Sequence, residues 1–324
     1  MLRKGIGIDV GTTQISISSA EGGLLLKEPC VAAVEIDSGK VLDAGTPALQ
    51  LAQRSPDRVK LFRPVWDAVV AHTNLLEELL RILLHRALGR MVIKPVAMVS
   101  IPCDLTEAQI NATEDALLAA GVHEVHFLEA PLCSAIGVGF DFSASRGQML
   151  VHMGASRTEI AMIFLGDMVT YEVVHVGGDQ FDSAIILYLR NKYQLYVGRR
   201  TAEQIKIRIG LVAGHDEPRT LDVRGRCMQT GEQRTVTLSS KEMLGALREP
   251  LALVLDAVVS VVERSGDEMR ADISKGGVVL TGGAVLPGMD QFLADVMGLR
   301  TRIATNADTS AVEGAAKADR KSVV

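Results

Sequence analysis

The opening of the chain alternates. In Ile6-Gly7-Ile8-Asp9-Val10 apolar residues take every second position, Gly11-Thr12-Thr13 interrupts the pattern, and Gln14-Ile15-Ser16-Ile17-Ser18 resumes it. A period of two broken by small residues predicts two strands joined by a turn. Glu21-Gly22-Gly23 predicts a second hairpin into Leu24-Leu25-Leu26. The apolar spacing then lengthens to a helical period over about residues 75–88. Residues 96–101 read as a strand stopped by Pro102. Thr106-Glu107-Ala108-Gln109 has the spacing of a capping box and opens a helix to about Ala120. Residues 124–128 form a further strand, leading into Pro131 at the first turn of a helix.

The order then begins again. Residues 148–153 read as a strand, 154–157 as a turn and 158–165 as a strand, and Gly166-Asp167 makes a hairpin into 169–175. Ile8-Asp9-Val10-Gly11 followed by Ile15 and Ile17 matches Val151-His152-Met153-Gly154 followed by Ile160 and Met162. Such a repeat implies two similar α/β lobes with their small-residue turns meeting at a cleft. Beyond it, Thr201-Ala202-Glu203-Gln204 has capping-box spacing for a short helix. Residues 220–223 and 235–238 read as strands joined through Thr230-Gly231. Ser239-Ser240-Lys241-Glu242 caps a long helix reaching about Arg264. Gly277-Val278-Val279-Leu280 is a buried strand that ends in Thr281-Gly282-Gly283, before a helix from about Met289.

Composition narrows the class. The 324 residues suffice for two domains, and with 48% hydrophobic but only 4% aromatic residues the core must be aliphatic. A formal net charge of −5 argues against a nucleic-acid partner held by phosphate neutralisation. Cys30, Cys103, Cys133 and Cys227 lie far apart with no Cys-x-x-Cys pair, which predicts buried thiols in a reducing compartment rather than a metal site. No signal peptide and no run of 18 apolar residues is visible, so a cytoplasmic protein is expected, one still able to lie on a membrane surface.

The turn Asp9-Val10-Gly11-Thr12-Thr13 resembles the first phosphate loop of the superfamily of actin, sugar kinases and heat-shock chaperones. Further matches are Lys27-Glu28-Pro29, Arg63-Pro64-Val65, Glu129-Ala130-Pro131 with Ala135-Ile136-Gly137, and Val176-Gly177-Gly178-Asp179. Arg200-Thr201-Ala202-Glu203 through Lys206-Ile207, Val223-Arg224-Gly225-Arg226, and Val279-Leu280-Thr281-Gly282-Gly283 complete the set. In order and spacing they resemble the bacterial actin homologues of the MreB/Mbl family across nearly the whole chain, as a divergent member. The resemblance implies an α/β, two-lobed actin-like (ribonuclease H-like) fold with a central nucleotide cleft. The first lobe would comprise residues 1–145 plus 311–324, with a small subdomain at about 33–64. The second would comprise 146–310, with one at about 180–240. It further implies a filament-forming or filament-modulating cytoskeletal protein in cell-shape determination. Such a protein assembles with itself or with another MreB, peripheral to the inner face of the cell membrane. A working ATPase of the same superfamily and a monomeric nucleotide-gated adaptor are the alternatives.

The same resemblance assigns the site. A polyphosphate needs backbone N–H groups that small residues let come close. Gly11, Thr12 and Thr13 offer them in the first turn, and Gly154, Ala155 and Ser156 in the second. Asp9 is the acid that orients the water shell of Mg²⁺. Glu203 and Lys206, three apart on one helix face, take the ribose and adenine of ATP or ADP; by spacing alone they are a surface ion pair. Thr281, Gly282, Gly283 and Ala284 form the other wall. Two positions depart from the family. His152 stands where a second acid is usual, within His152-Met153-Gly154-Ala155-Ser156-Arg157 rather than Asp-x-Gly-Gly-Gly-Thr. If protonated it would repel a metal. Ala155 and Ser156 add Cβ atoms where φ > 0 is one requirement a glycine would meet. Ala130 replaces the acid that positions the attacking water, with Glu129 one place early. The expectation is weak or absent hydrolysis with no catalytic residue intact, and doubtful Mg²⁺, with His152 and Arg157 as phosphate partners in its place. Finally, Met91, Val92 and Ile93 form an apolar tip between Arg90 and Lys94, matching the family's membrane loop.

Overall fold

A computed structural model describes residues 5–90, 93–212 and 219–318, so Met91 and Val92 of the expected membrane loop lie outside the described residues. The chain divides into two compact units, residues 1–141 with 308–324, and residues 142–307.

Unit 1 is built on a five-stranded sheet. β1 (Gly5–Val10), β2 (Gln14–Ser19) and β3 (Gly23–Pro29) form an antiparallel meander. A small sheet follows, of β4 (Ala32–Glu35), β5 (Val41–Ala44) and, after α1 (Thr46–Arg54), β6 (Val59–Phe62). The hairpin β7 (Val65–Trp66) and β8 (Val69–Val70) leads into α2 (Thr73–Leu88). β9 (Val96–Ile101), α3 (Glu107–Ala120), β10 (Glu124–Glu129) and α4 (Ala130–Gly137) complete the first run. β9 and β10 add in parallel to β1, giving the order β10-β9-β1-β2-β3.

The alternation seen in the sequence sorts the two faces of this sheet. Ile6, Ile8, Ile15, Ile17, Ala97 and Val99 form one core face against α2 and α3. On α2, Leu76, Leu79, Leu80, Leu83 and Leu84 are all fully buried, at the 3-and-4 spacing of one helix stripe, and each such side chain contributes roughly 1.5–3 kcal/mol. Of the anticipated capping box on α3 one half is made: Gln109 Oε1 accepts from Thr106 N at 2.8 Å, while the Thr106 side chain makes no cap bond.

Unit 2 repeats the plan. β11 (Gln148–Met153), β12 (Thr158–Phe164) and β13 (Asp167–Val174) are the antiparallel meander. α5 (Gly178–Tyr193), β14 (Leu195–Tyr196), α6 (Arg199–Ile209), β15 (Thr220–Cys227), β16 (Gln233–Ser239), α7 (Ser240–Arg264) and α8 (Asp267–Gly276) follow. β17 (Val278–Thr281), α9 (Met289–Met297) and β18 (Thr301–Ile303) end it, and the order β13-β12-β11-β17-β18 matches that of unit 1 strand for strand. Sheet β14-β15-β16 is antiparallel and sits at the start of α7. α7 opens on a capping box in which Ser239 Oγ accepts from Glu242 N. Glu242 also takes bonds from Lys192 Nζ (2.5 Å) and Tyr193 Oη (2.6 Å), tying α7 to the end of α5. One boundary differs from the sequence reading. α6 starts at Arg199, with Thr201 N and Ala202 N bonded to Gly198 O, so Thr201 is inside the helix and its apparent capping box is not used.

α10 (Ser310–Lys317) returns to unit 1 and covers the other sheet face. A Cβ on Gly7 would lie 2.4 Å from both Ala316 N and Val312 O. α10 crosses α4 equally closely: a Cβ on Gly137 would meet Ser310 O at 2.0 Å, and one on Gly314 would meet Cys133 O at 1.7 Å. No disulfide joins the four cysteines; Cys30, Cys133 and Cys227 are buried and Cys103 is only half-buried. Among the described residues no helix is long and apolar enough to cross a membrane.

Candidate functional site

The first turn is fixed by hairpin register. Asp9 faces Ser16 and Val10 faces Ile15, after which Gly11 N donates to Gln14 O at 2.9 Å. A Cβ on Gly11 would sit 2.9 Å from that same oxygen, so the tight turn requires glycine. Thr12 is buried, and its Oγ1 accepts from Ala68 N at 2.8 Å at the tip of the β7–β8 hairpin. Beside the turn, desolvation pushes the Asp9 carboxyl up to about 6, against the opposing pull of the Lys27 ammonium, itself 2.6 Å from Asp308. A desolvated acid short of positive charge suits a hydrated divalent cation next to it.

The second turn has the same backbone. His152 faces Glu159, Met153 faces Thr158, and Gly154 N donates to Arg157 O at 2.8 Å. His152 thus occupies the place of Asp9, as the repeat in the sequence anticipated. Desolvation pulls its imidazole down to about 4, so the ring is neutral near pH 7 and the metal repulsion expected of a protonated ring does not arise. Its Nδ1 is 3.2 Å from Thr281 Oγ1, which donates to Val151 O at 3.3 Å. The Thr281 hydroxyl thus links the ring to the backbone of the strand on which it stands. A neutral imidazole supplies no second carboxylate to a cation. Neither Ala155 nor Ser156 has a positive φ, so their Cβ atoms cost the turn no backbone strain, contrary to the concern raised from sequence.

The remaining predicted residues of unit 2 converge on the N-terminus of α5. Gly178 N and Asp179 N donate to Gly154 O (3.1 Å) and Ala155 O (2.7 Å), locking the second turn onto the helix. A Cβ on Gly177 would strike Gly154 O at 2.4 Å, and one on Gly178 would lie 3.2 Å from Lys206 Nζ and 3.5 Å from the Ala284 methyl. Lys206, which spacing alone made half of a surface ion pair, is buried: Nζ donates to Gly178 O and meets Asp182 Oδ1, both at 2.9 Å. Desolvation raises Asp182 to about 6; Lys206 lowers it and Glu203 and Asp179 raise it. Glu203 is exposed on the same helix. Thr281 is buried, Gly282 holds φ +95° with a would-be Cβ 2.2 Å from Met153 O, and Ala284 N donates to Met153 O at 3.0 Å. The loop 281–284 is therefore clamped to the strand that leads into the second turn.

In unit 1, Ala130 is buried as the first residue of α4, with Glu129 at the end of β10 as its N-cap. An alanine there has no group with which to orient water. Of the segment expected to touch a membrane, Arg90, Ile93 and Lys94 are exposed. Sequence reading missed Lys27, Ala68, Gly178 and Asp182 as site residues. Asp182 had a signal, standing three after Asp179 and so on the same side of a helix as it.

The comparisons accord with this arrangement. A family model described as MreB/Mbl protein matches residues 3–323. The cell shape-determining protein Mbl of Bacillus subtilis is 37% identical over 311 residues, covering 94% of this chain and 92% of that protein. MreB5 of Spiroplasma citri, solved with AMPPNP and with ADP, superposes with TM-score 0.89 in both forms. The identities are 24% and 25%, covering 97% and 96% of this chain and 95% and 94% of those chains. The chain of a MamK double helical filament has a TM-score of 0.79 at 15% identity, covering 98% of both chains, a likeness of fold. The chain belongs to the MreB/Mbl family of actin-like cell shape-determining proteins.

Proposed function

We propose that this chain is a self-assembling, shape-determining filament protein that binds an adenine nucleotide, ATP or ADP, and hydrolyses it weakly or not at all. The observation that carries the reading is the matched pair of turns, equal in backbone and unequal in chemistry. Gly11, Thr12 and Thr13, with Gly154, Ala155 and Ser156, are assigned to the phosphates. Glu203, Lys206 and the loop Thr281–Gly282–Gly283–Ala284 are assigned to the nucleoside. Support comes from the nucleotides in the MreB5 structures and the filament formed by MamK. A divalent cation, when bound, would neutralise phosphate charge, and Asp9 is the residue suited to hold its water shell. Neutral His152 adds no negative charge there, and Ala130 leaves the attacking water unoriented. Calorimetry with ADP and AMPPNP, with and without chelator, tests the binding half. Heat of binding that persists in chelator is expected. No heat with either nucleotide would overturn the assignment.

The exposed Arg90, Ile93 and Lys94 support a second element, peripheral attachment to an anionic membrane. A basic residue near such a surface contributes about 1 kcal/mol. One copy would then bind weakly and a polymer firmly through avidity. Co-sedimentation with anionic liposomes should be marked under assembling conditions, reduced by salt, and largely lost in Met91→Ser/Val92→Ser/Ile93→Ser. Equal sedimentation of parent and variant would exclude the loop.

A further inference from the structure

The sheet face that carries Asp9 holds a polar row. Register places Leu128, Ser100, Asp9, Ser16 and Lys27 side by side across β10, β9, β1, β2 and β3. Directly paired residues share one face of a sheet, so these side chains rise together. Ser100 and Ser16 flank Asp9 and are buried, and the Ser100 hydroxyl has no hydrogen-bond partner among the described residues. Beyond Ser16 stands Lys27, the one cation of the row. Its backbone is two strand spacings from that of Asp9, roughly 10 Å. A flexible four-carbon stem can lean across that gap over a side chain as short as serine. The field of the Lys27 ammonium already reaches the Asp9 carboxyl.

The frame itself does not call for a lysine there. In the matching row of unit 2, Thr281, His152, Glu159 and Val173 stand on β17, β11, β12 and β13, so a valine takes the place of Lys27. Nor is the ammonium firmly held. Among the described residues Lys27 makes one ion pair, with Asp308 at 2.6 Å, and the Asp308 side chain is 58% exposed. An ion pair with so exposed a partner is weak and readily exchanged.

We propose that Lys27 is the resident positive charge of the phosphate site. With the site empty its ammonium rests on Asp308. With a nucleoside di- or triphosphate on the first turn it leans toward Asp9 and offsets the negative charge of the carboxylate and the phosphates together. A divalent cation would otherwise have to supply that neutralisation. An ammonium is a compact charge with three donors, which suits phosphate oxygens. The inference rests on the nucleotide reading above and names the residue that lets binding persist in chelator.

Calorimetry with ADP, in chelator and in Mg²⁺, tests it. The parent should bind nearly equally in both. Lys27→Met should lose about tenfold or more in chelator and regain most of it in Mg²⁺, a rescue that a folding defect would not show. Lys27→Arg should behave as the parent does. Asp308→Asn frees the ammonium and should bind about two- to threefold more tightly in chelator. If Lys27→Met does not fold, Asp308→Asn decides alone, and unchanged or weaker binding overturns the role of Lys27. So does a parent that binds only in Mg²⁺, a Lys27→Met chain that binds in chelator as the parent does, or a loss that Mg²⁺ does not restore. Each of these leaves the nucleotide reading standing. No heat from the parent in either buffer overturns both.

Discussion

The two turns share a backbone and differ in one decisive side chain. Gly11 N to Gln14 O and Gly154 N to Arg157 O are the same bond at nearly the same length, yet the residue two before the glycine is an acid in one turn and an imidazole in the other. Loss of water acts on both and drives each toward its neutral form, Asp9 up to about 6 and His152 down to about 4. Geometry resides in strand register and small residues, so it survives. Charge resides in single side chains and can be exchanged without disturbing the frame. Binding and hydrolysis therefore become separable properties of this fold.

The largest effect should come from restoring what unit 2 and α4 lack. Ala130→Glu with His152→Asp is expected to raise phosphate release by about 10²- to 10⁴-fold under assembling conditions. Brisk release by the parent would erase the contrast between the turns. Next, Gly282→Ala should cost about 2–4 kcal/mol in urea melts, since φ +95° and the Met153 carbonyl both oppose a Cβ, while Gly283→Ala, with open space around it, should cost under about 0.5 kcal/mol. Equal costs would mean that the loop is not clamped.

The pH dependence sharpens the comparison because the signs oppose. His152 has a folded value below its unfolded one, so its stabilising contribution is complete above about 6.5 and is lost as pH falls toward 4. Asp9 has a folded value above its unfolded one, so its penalty is absent below 3.8 and complete above about 6. Asp9→Asn should thus stabilise the nucleotide-free chain at pH 7, by about 1–2 kcal/mol once partial exposure is discounted, with the gain vanishing below pH 4. His152→Asn should flatten the acid side instead. Thermal melts across pH 4–8 decide this, and slopes of one sign in both variants would contradict it. The smallest expected difference lies in the glycines themselves. Gly11→Ala should cost about 1–2 kcal/mol and Gly154→Ala about half that, because the facing carbonyl is 2.9 Å from the new Cβ in one case and 3.3 Å in the other.

Much of the frame could be read from the sequence, because alternation and turn residues are local. The β1–β2 and β11–β12 hairpins, the starts of α3 and α7, and the equivalence of Asp9 with His152 are all of this kind. α5 went unread although Phe181, Ile185 and Leu189 recur every fourth residue, since its start, Gly177-Gly178-Asp179, looks like a turn. α10 offered no stripe of large apolar residues; its packing depends on Gly314 and small neighbours whose role appears only against α4. Lys206 shows the limit most clearly. Spacing placed it beside Glu203, but its burial against Asp182 and Gly178 arises from the docking of α6 on α5, which no single segment encodes.

The crossing of α4 and α10 also sets an order of events during synthesis. Gly7 and Gly137 are made early, but the backbone that packs on them, residues 310–316, emerges roughly 300 residues after the first and roughly 170 after the second, the shorter interval being about ten to thirty seconds of synthesis. Unit 2 is contiguous and finds all its strands within itself. The first sheet begun is the last to be covered. The face that α10 covers carries Ser16, Ser18 and Ser100, polar side chains that lower the cost of leaving it in water until residues 310–316 arrive.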